Sequence, residues 1–206
     1  MNIFHTLAQK PWLAAPSGAE SHCGGAAFSL PTPKVGLRLF LAVATMLFLL
    51  TVSAYVMRMK LLQWDPLTEP WLLWPNTVVL ILSSIALQRA AVSARRGQMK
   101  GLRTGLLSGG ILALVFLAGQ LVVWQQLAAA GHFATTNPAS AFFYLLTAFH
   151  GLHVIGGLVA WGRTTARAWR HTSSVEKSPI SVELCAIYWH FLLVVWLGLF
   201  GLLLLT

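Results

Sequence analysis

The sequence has few charged side chains, and acidic ones are the scarcest. Only 9% of its 206 residues are charged, and five of these are Asp or Glu. A soluble domain carries about 25% charged residues, so this chain cannot cover a globular surface with them. Together with 57% hydrophobic residues and a mean hydropathy of +0.71, this scarcity excludes a soluble enzyme, a disordered protein and a nucleic-acid-binding protein.

Cysteine is scarce as well. The two cysteines, Cys23 and Cys185, lie far apart, and the sequence contains no CxxC motif. A disulfide framework and a thiolate metal site are therefore excluded. We expect Cys185, which lies in an apolar run, to be a packing residue at lipid depth.

Long apolar segments make up most of the chain. Each has about the 20 residues that cross a bilayer core, and in lipid only helices or closed barrels satisfy the backbone. The sequence therefore predicts an all-α polytopic membrane protein, a bundle of five transmembrane helices. A flexible, Pro- and Gly-rich tail is predicted over residues 1–34, before a single transmembrane domain over residues 35–206. The predicted helices cover residues 35–57, 71–90, 104–127, 139–161 and 183–205.

Basic residues are distributed unequally between the two ends of the predicted helices. Twelve of the fourteen Lys and Arg residues lie in the tail and first helix start and around the second and fourth connections. The other side carries only Arg58 and Lys60, beside two acidic residues. Because cytoplasmic connections carry the excess of Lys and Arg, we expect the N-terminus in the cytoplasm and the C-terminus outside.

Polar side chains inside the predicted helices are candidates for function, because a polar group at membrane depth is costly. Three are histidines, and one interpretation is a metal or haem site. One HxxH pair and a distant histidine do not make a complete ligand set, so the spacing favours interhelical hydrogen bonding and no metal site. No nucleophile with a base, phosphate-binding loop or acid pair is present, which predicts no active site in this chain. The candidates are Asn76, Gln120, His150, His153, Glu183, Tyr188, Trp189 and His190.

Two long motifs resemble the subunit III family of cytochrome c oxidases. They are YLLTAFHGLHVIGG at residues 144–157 and VELCAIYWHF at residues 182–191, followed by Val-Val-Trp at residues 194–196. Residues 73–77 resemble the Leu-Asn-Thr helix of the family, and residues 116–120 resemble the helix that follows it. The resemblance covers all five predicted helices in the family's order, and it fits the family's short, five-helix form.

The resemblance implies a non-catalytic subunit of a haem-copper terminal oxidase, which reduces oxygen to water and moves protons in aerobic respiration. Haem and copper are then expected in partner subunits, the catalytic subunit I and subunit II, and none in this chain. A subunit of this type binds phospholipid and supports assembly and proton uptake of the complex. The eight candidates would form its polar interior, with structural or lipid-linked roles, in the inner (plasma) membrane of a bacterial cell.

Two alternatives remain open at this stage. One is a subunit-III-like accessory protein of a nitric oxide reductase, since such proteins share the five-helix bundle and much of the histidine pattern. The other is a separate membrane enzyme or transporter that uses His150, His153 and His190. A transporter is expected to show broken helices or an internal repeat, and the sequence has no repeat.

Two acidic positions of the family are apolar here. Ala44 stands where the family's first helix commonly has an intramembrane Glu, and Leu193 where the last helix commonly has an Asp. Glu183 is thus the one carboxylate in the five predicted spans, and an ionised carboxylate there needs a partner. We therefore expect packing and lipid retention to be the main roles, with little proton handling by the first helix.

Overall fold

A computed structural model describes residues 32–60, 71–133, 138–170 and 178–205. All regular structure in these residues is α-helical. The tail predicted over residues 1–34 lies almost entirely outside them. The helices are α1 (Thr32–Met59), α2 (Leu73–Arg95), α3 (Met99–Ala129), α4 (Pro138–Arg170) and α5 (Ser178–Leu204).

The structure confirms an all-helical fold with five helices long and apolar enough to cross a membrane. Helices α3 and α4 extend beyond the predicted spans at both ends, because their hydrogen-bonding ladders continue into the polar flanks. The second helix begins later than predicted, since Trp71 and Leu72 form a turn. This start places Pro75 in the first turn of α2, where its missing N–H removes no intrahelical hydrogen bond.

Four helices form a ring, and α1 lies against its outside. α2 packs against α3 and α5, and α4 packs against the same two helices, so the order around the ring is α2, α3, α4, α5. α1 packs against α4 and α5. In its most apolar stretch only 17% of the residues are buried, against 33–44% in the other four helices. A large part of α1 is therefore left for lipid or another chain to cover.

Small residues of α3 bring α2 and α3 into close contact. A Cβ atom on Gly105 would lie 2.9 Å from the carbonyl oxygen of Ala86 and from the amide nitrogen of Ala90. One turn later, a Cβ on Gly109 would lie 2.6 Å from Cγ of Leu87. The GxxxG sequence of α3 is thus a site where two backbones meet, as is typical of membrane helices.

A tryptophan fixes α4 against α3 in a similar way. The Trp161 indole Nε1 donates a hydrogen bond to the carbonyl oxygen of Leu106 at 2.8 Å. The ring lies directly over Gly110, where a Cβ atom would overlap it. Because the indole reaches the α3 backbone only over a residue without a side chain, Gly110 and Trp161 act as a matched pair.

We predict that Gly105→Ala destabilises the protein, because the added methyl group meets backbone atoms of α2 that cannot move independently. Thermal unfolding of the detergent-solubilised protein, followed by tryptophan fluorescence, should show a midpoint lowered by several degrees. The matched control is Gly162→Ala in α4, where a Cβ atom meets nothing within 4 Å. The control should be neutral or stabilised by up to about 1 kcal/mol through helix propensity. Equal midpoints for the two variants would contradict the close α2–α3 contact.

Candidate functional site

Two buried tryptophans of α5 are hydrogen-bonded to hydroxyl groups of α2. Trp196 Nε1 donates to Thr77 Oγ1 at 2.9 Å, and Trp189 Nε1 donates to Ser83 Oγ at 3.0 Å. The Ser83 hydroxyl in turn donates to the carbonyl oxygen of Gly109 on α3 at 2.8 Å. A buried indole N–H needs an acceptor, and these hydroxyls supply it. The pairs connect α5, α2 and α3 through the centre of the bundle.

An amide pair connects α2 and α3 nearby. Asn76 Nδ2 donates to Gln120 Oε1 at 3.4 Å, and both side chains are buried. Gly119 makes room for this contact, since a Cβ atom there would lie 2.4 Å from Asn76 Oδ1. The sequence candidates Asn76 and Gln120 are thus brought together by the structure.

His150 is fully buried in an aromatic environment. Its ring lies 5.7 Å from that of Phe116, edge to face, and 5.0 Å from that of Trp196, measured between ring centroids. Neither ring nitrogen of His150 has a hydrogen-bond partner among the described residues, and the same holds for Gln120 Nε2. On α3, Phe116 contacts His150 of α4, and Trp124 contacts Thr147 of α4. Gln120 is midway between Phe116 and Trp124 along α3, so it lies between the levels of His150 and Thr147.

His153 lies at the surface of α4 that α1 covers. Its ring is 6.1 Å from the ring of Phe40 and 5.2 Å from that of Phe48, two α1 residues separated by two turns. Its Nδ1–H donates to the carbonyl oxygen of Phe149 at 2.7 Å, within α4. Tyr188 of α5 donates its hydroxyl to the carbonyl oxygen of His153 at 2.8 Å. His153 and Tyr188 therefore connect α1, α4 and α5.

His190 lies at the outer surface of the seam between α2 and α5. Its Nδ1 is 2.7 Å from the hydroxyl oxygen of the buried Ser84, while the side chain itself is exposed. His150, His153 and His190 thus lie in three different environments. Among the described residues no three His, Cys, Asp or Glu side chains come together as a set of metal ligands.

Glu183 forms ion pairs at one end of the bundle. Its Oε1 lies 2.9 Å from Arg95 Nη2 and 3.9 Å from Lys34 Nζ, and the carboxylate side chain is 26% exposed. The sequence predicts that each imidazole in the bundle donates to a backbone carbonyl or to Glu183. The structure instead pairs Glu183 with cations, because the antiparallel packing of α2 and α5 places the last turn of α2 beside the first turns of α5.

The two apolar replacements lie in different places. Ala44 is only 2% exposed, and on α1 it lies one turn after Phe40 and one turn before Phe48, on the face that packs against His153. Leu193 is half-buried beside the core. The α1 face that packs against His153 is therefore lined by Ala44 and aromatic rings.

A groove of about 650 Å³ opens between α1, α4 and α5. Its wall is mostly apolar, and the two guanidinium groups of Arg163 and Arg167 lie at one end, one turn apart on α4. Within the described residues neither arginine forms an ion pair. The groove is lined by Leu37, Phe40, Gly156, Ala160, Arg163, Thr164, Arg167, Ile180, Ser181, Leu184, Cys185 and Tyr188.

Sequence reasoning did not select the hydroxyl residues that accept from tryptophans. Besides Thr77 and Ser83 these include Thr147, which accepts from Trp124 Nε1 at 3.1 Å. The signal available in the sequence is the combination of buried tryptophans with Ser and Thr residues at similar depth. Spacing alone does not tell which tryptophan meets which hydroxyl, since that depends on the order of helices in the ring.

The comparisons with known proteins agree with one another. The family model described as "Cytochrome c oxidase subunit III" matches residues 30–205. A "Probable cytochrome c oxidase subunit 3" of Mycobacterium leprae is 39% identical over 67% of this chain and 69% of its own length. A "Cytochrome c oxidase subunit 3" of Synechocystis is 34% identical over 80% of this chain and 72% of its own length. The "Cytochrome c oxidase subunit 3" of Thermostichus vulcanus is 33% identical over 82% of this chain and 85% of its own length.

We predict that Thr77→Val destabilises the protein by about 1–3 kcal/mol, because it leaves the buried Trp196 N–H without an acceptor. Chemical or thermal unfolding in detergent measures this. Thr51→Val is the matched control, since in the described part of the chain the Thr51 hydroxyl bonds only the carbonyl of Leu47 within α1. In the double variant Thr77→Val/Trp196→Phe the cost should be smaller than the sum of the single costs. Additive costs would show that the two side chains do not interact.

Proposed function

The chain belongs to the cytochrome c oxidase subunit III family, and from this we propose that it is the non-catalytic subunit III of a haem-copper terminal oxidase. Its partners would be the catalytic subunit I and subunit II, which would carry haem and copper, and the complex would reduce oxygen to water in the respiratory chain. The observation that carries the proposal is the family match over residues 30–205, which includes all five helices.

The interior of the bundle supports a structural role for this subunit. Several of its polar groups are arranged in pairs that join helices, such as Trp196 with Thr77 and Asn76 with Gln120. Catalysis would instead need several groups converging on one reacting atom. We assign His150, His153, Tyr188, Trp189 and His190 to positioning helices and not to chemistry.

The charged ends of the helices support an N-terminus in the cytoplasm. Lys34 at the start of α1 and Arg95 at the end of α2 meet at Glu183, at the start of α5. Arg103 of α3 lies over the ring of Trp169 on α4, and this contact joins two further helix ends of the same side. An excess of basic residues at one end of a bundle marks the cytoplasmic side. Since the relatives named above are bacterial proteins, the membrane is proposed to be the bacterial plasma membrane.

The groove between α1, α4 and α5 is proposed to bind a phospholipid. Its mainly apolar wall suits an acyl chain, and guanidinium groups bind phosphate through charge-assisted, bidentate hydrogen bonds. Arg163 and Arg167 stand at the charged end of the bundle, where a lipid headgroup lies. A lipid here would cover part of α1, whose contact with the ring is limited to α4 and α5.

We propose that this subunit supports proton uptake by the complex only indirectly. Glu183 is held by two cations at the end of the bundle, and the α1 face opposite His153 carries Ala44 in place of a carboxylate. We therefore assign proton transfer to the partner subunits. This chain would sustain it by holding the complex and its lipid in place.

The proposed function predicts that the chain brings haem and copper with it on purification. A tagged version isolated from its native membrane in mild detergent should carry a large catalytic subunit, a reduced-minus-oxidised haem spectrum and stoichiometric copper. Haem with non-haem iron and no copper would instead favour a nitric oxide reductase. A chain that is isolated alone with stoichiometric metal would overturn the proposal and support a histidine-based metal site.

The lipid proposal predicts that Arg163→Ala/Arg167→Ala reduces the anionic phospholipid retained by the purified complex, as measured by mass spectrometry of extracted lipids. The initial oxygen-consumption rate should stay near that of the parent protein, while activity should decay faster during turnover. The matched control, Arg89→Ala/Arg96→Ala in and just after the last turns of α2, removes the same charge away from the groove. Equal lipid retention in the two double variants would contradict the assignment.

A further inference from the structure

His190 is a polar side chain that faces outward in the middle of the bundle. His190 is exposed, although it is about 15 Å from Ile180 and about 21 Å from Leu204 along α5 at 1.5 Å per residue. Its contact Ser84 lies at the midpoint of α2, about 16 Å from either end. A hydrocarbon core about 30 Å thick leaves both residues deep inside it. Its exposed imidazole would therefore face acyl chains if nothing else covered it.

The hydrogen bond to Ser84 fixes what His190 presents to its surroundings. Among the described residues Nδ1 is the one hydrogen-bond partner of the buried Ser84 hydroxyl. A buried O–H without an acceptor is costly, so we assign the tautomer in which the Ser84 O–H donates to Nδ1. The neutral imidazole then carries its proton on Nε2. In the described part of the chain Nε2 bonds no other group, so the outward edge of the ring presents an N–H donor.

The surroundings of His190 form a continuous outward surface. We call it the His190 face: Ile85 and Gln88 of α2, with Ile187, His190, Val194 and Leu197 of α5. All six side chains are exposed, and Val194 is 66% exposed. The α5 members recur at spacings of three and four residues, which places them in one stripe. The face is thus an apolar stripe that contains the imidazole of His190 and, about one turn beyond Ser84 on α2, the carboxamide of Gln88.

We propose that the His190 face is where a membrane-spanning helix of another oxidase subunit docks, with a hydrogen-bond acceptor opposite His190 Nε2. This inference rests on the proposed function, because it takes its partner from the oxidase complex. The partner's acceptor would be a side-chain amide, a hydroxyl or carboxylate oxygen, or a backbone carbonyl. Such interhelical hydrogen bonds are the usual solution for a polar group at membrane depth.

The chemistry of the face favours a helix of another subunit over two other occupants, which are lipid and a second copy of this chain. Acyl chains supply no acceptor, and headgroups lie too far from the middle of α5. A second copy of this chain related by a two-fold axis along the membrane normal would keep every residue at its own depth, so one Nε2–H would face another and two donors do not bond. Gln88, the other polar side chain of the face, lies about 6 Å from the level of Ser84 along α2. A different membrane-spanning helix satisfies the imidazole and buries Val194 and Leu197 as well.

Site-specific photocrosslinking in the purified holo-complex tests the docking directly. A benzophenone amino acid in place of Val194 should crosslink to a transmembrane peptide of another oxidase subunit, identified by mass spectrometry. The same probe at Val115, a 48%-exposed residue in the middle of α3, is the control and should not give that product. Crosslinks at position 194 to lipid alone, or to a second copy of this chain, would overturn the inference. If haem and copper are still present in that preparation, the proposed function is not affected.

Substitutions at His190 test the role of Nε2. His190→Asn keeps a group near Nδ1 for Ser84 but lacks the outer donor, and it should lower the haem recovered per tagged chain by about threefold, since membrane hydrogen bonds are individually modest. His190→Gln, whose amide nitrogen reaches the position of Nε2, should restore recovery. Val194→Trp should lower recovery about tenfold, whereas Val115→Trp should not. Full haem recovery with both His190→Asn and Val194→Trp would overturn the inference. Absence of haem and copper from the preparation of the unmodified chain would contradict the proposed function as well.

Discussion

Because hydrocarbon offers no hydrogen-bond partner, a polar group in the middle of this bundle is stabilised when it finds a partner within protein. α2 is the helix on which this constraint acts most strongly. On one face it carries Asn76, Thr77, Ser83 and Ser84, and each is bonded to a side chain of α3 or α5. α2 is therefore the connection through which α3 and α5 are held in the ring. α1 is the least buried of the five helices in its most apolar stretch.

The five helices and the family could be predicted from the sequence, but the contacts between side chains could not. Length and hydropathy determine the helices, and two motifs in order carry the family resemblance. The spacing of three residues predicts that His150 and His153 share one face of α4. In the structure His150 is fully buried between Phe116 and Trp196, whereas His153 faces α1. Which face points inward depends on where α3, α5 and α1 pack, and local spacing contains no information about that.

Glu183 shows the same limit in electrostatic terms. Its position near the start of α5 was visible in the sequence, and so was its need for a partner. The partner Arg95 lies 88 positions earlier, at the end of α2, and becomes a neighbour only because α2 and α5 are antiparallel and adjacent. Lys34 of α1 reaches the same carboxylate, so one acidic residue joins three helices where the bundle meets the headgroups.

Ala44, at a position where the resemblance to the family predicts a carboxylate, lies on the α1 face that packs against His153 of α4. Phe40 and Phe48, one turn to either side of Ala44, approach the ring of His153, so an acid at this position would face that imidazole. Without the acid, the imidazole donates Nδ1–H to the carbonyl of Phe149 in its own helix and packs between aromatic rings. The α1–α4 contact is thus held by rings and a small residue in place of an ion pair. In a bilayer this exchange removes a charge whose burial would need full compensation.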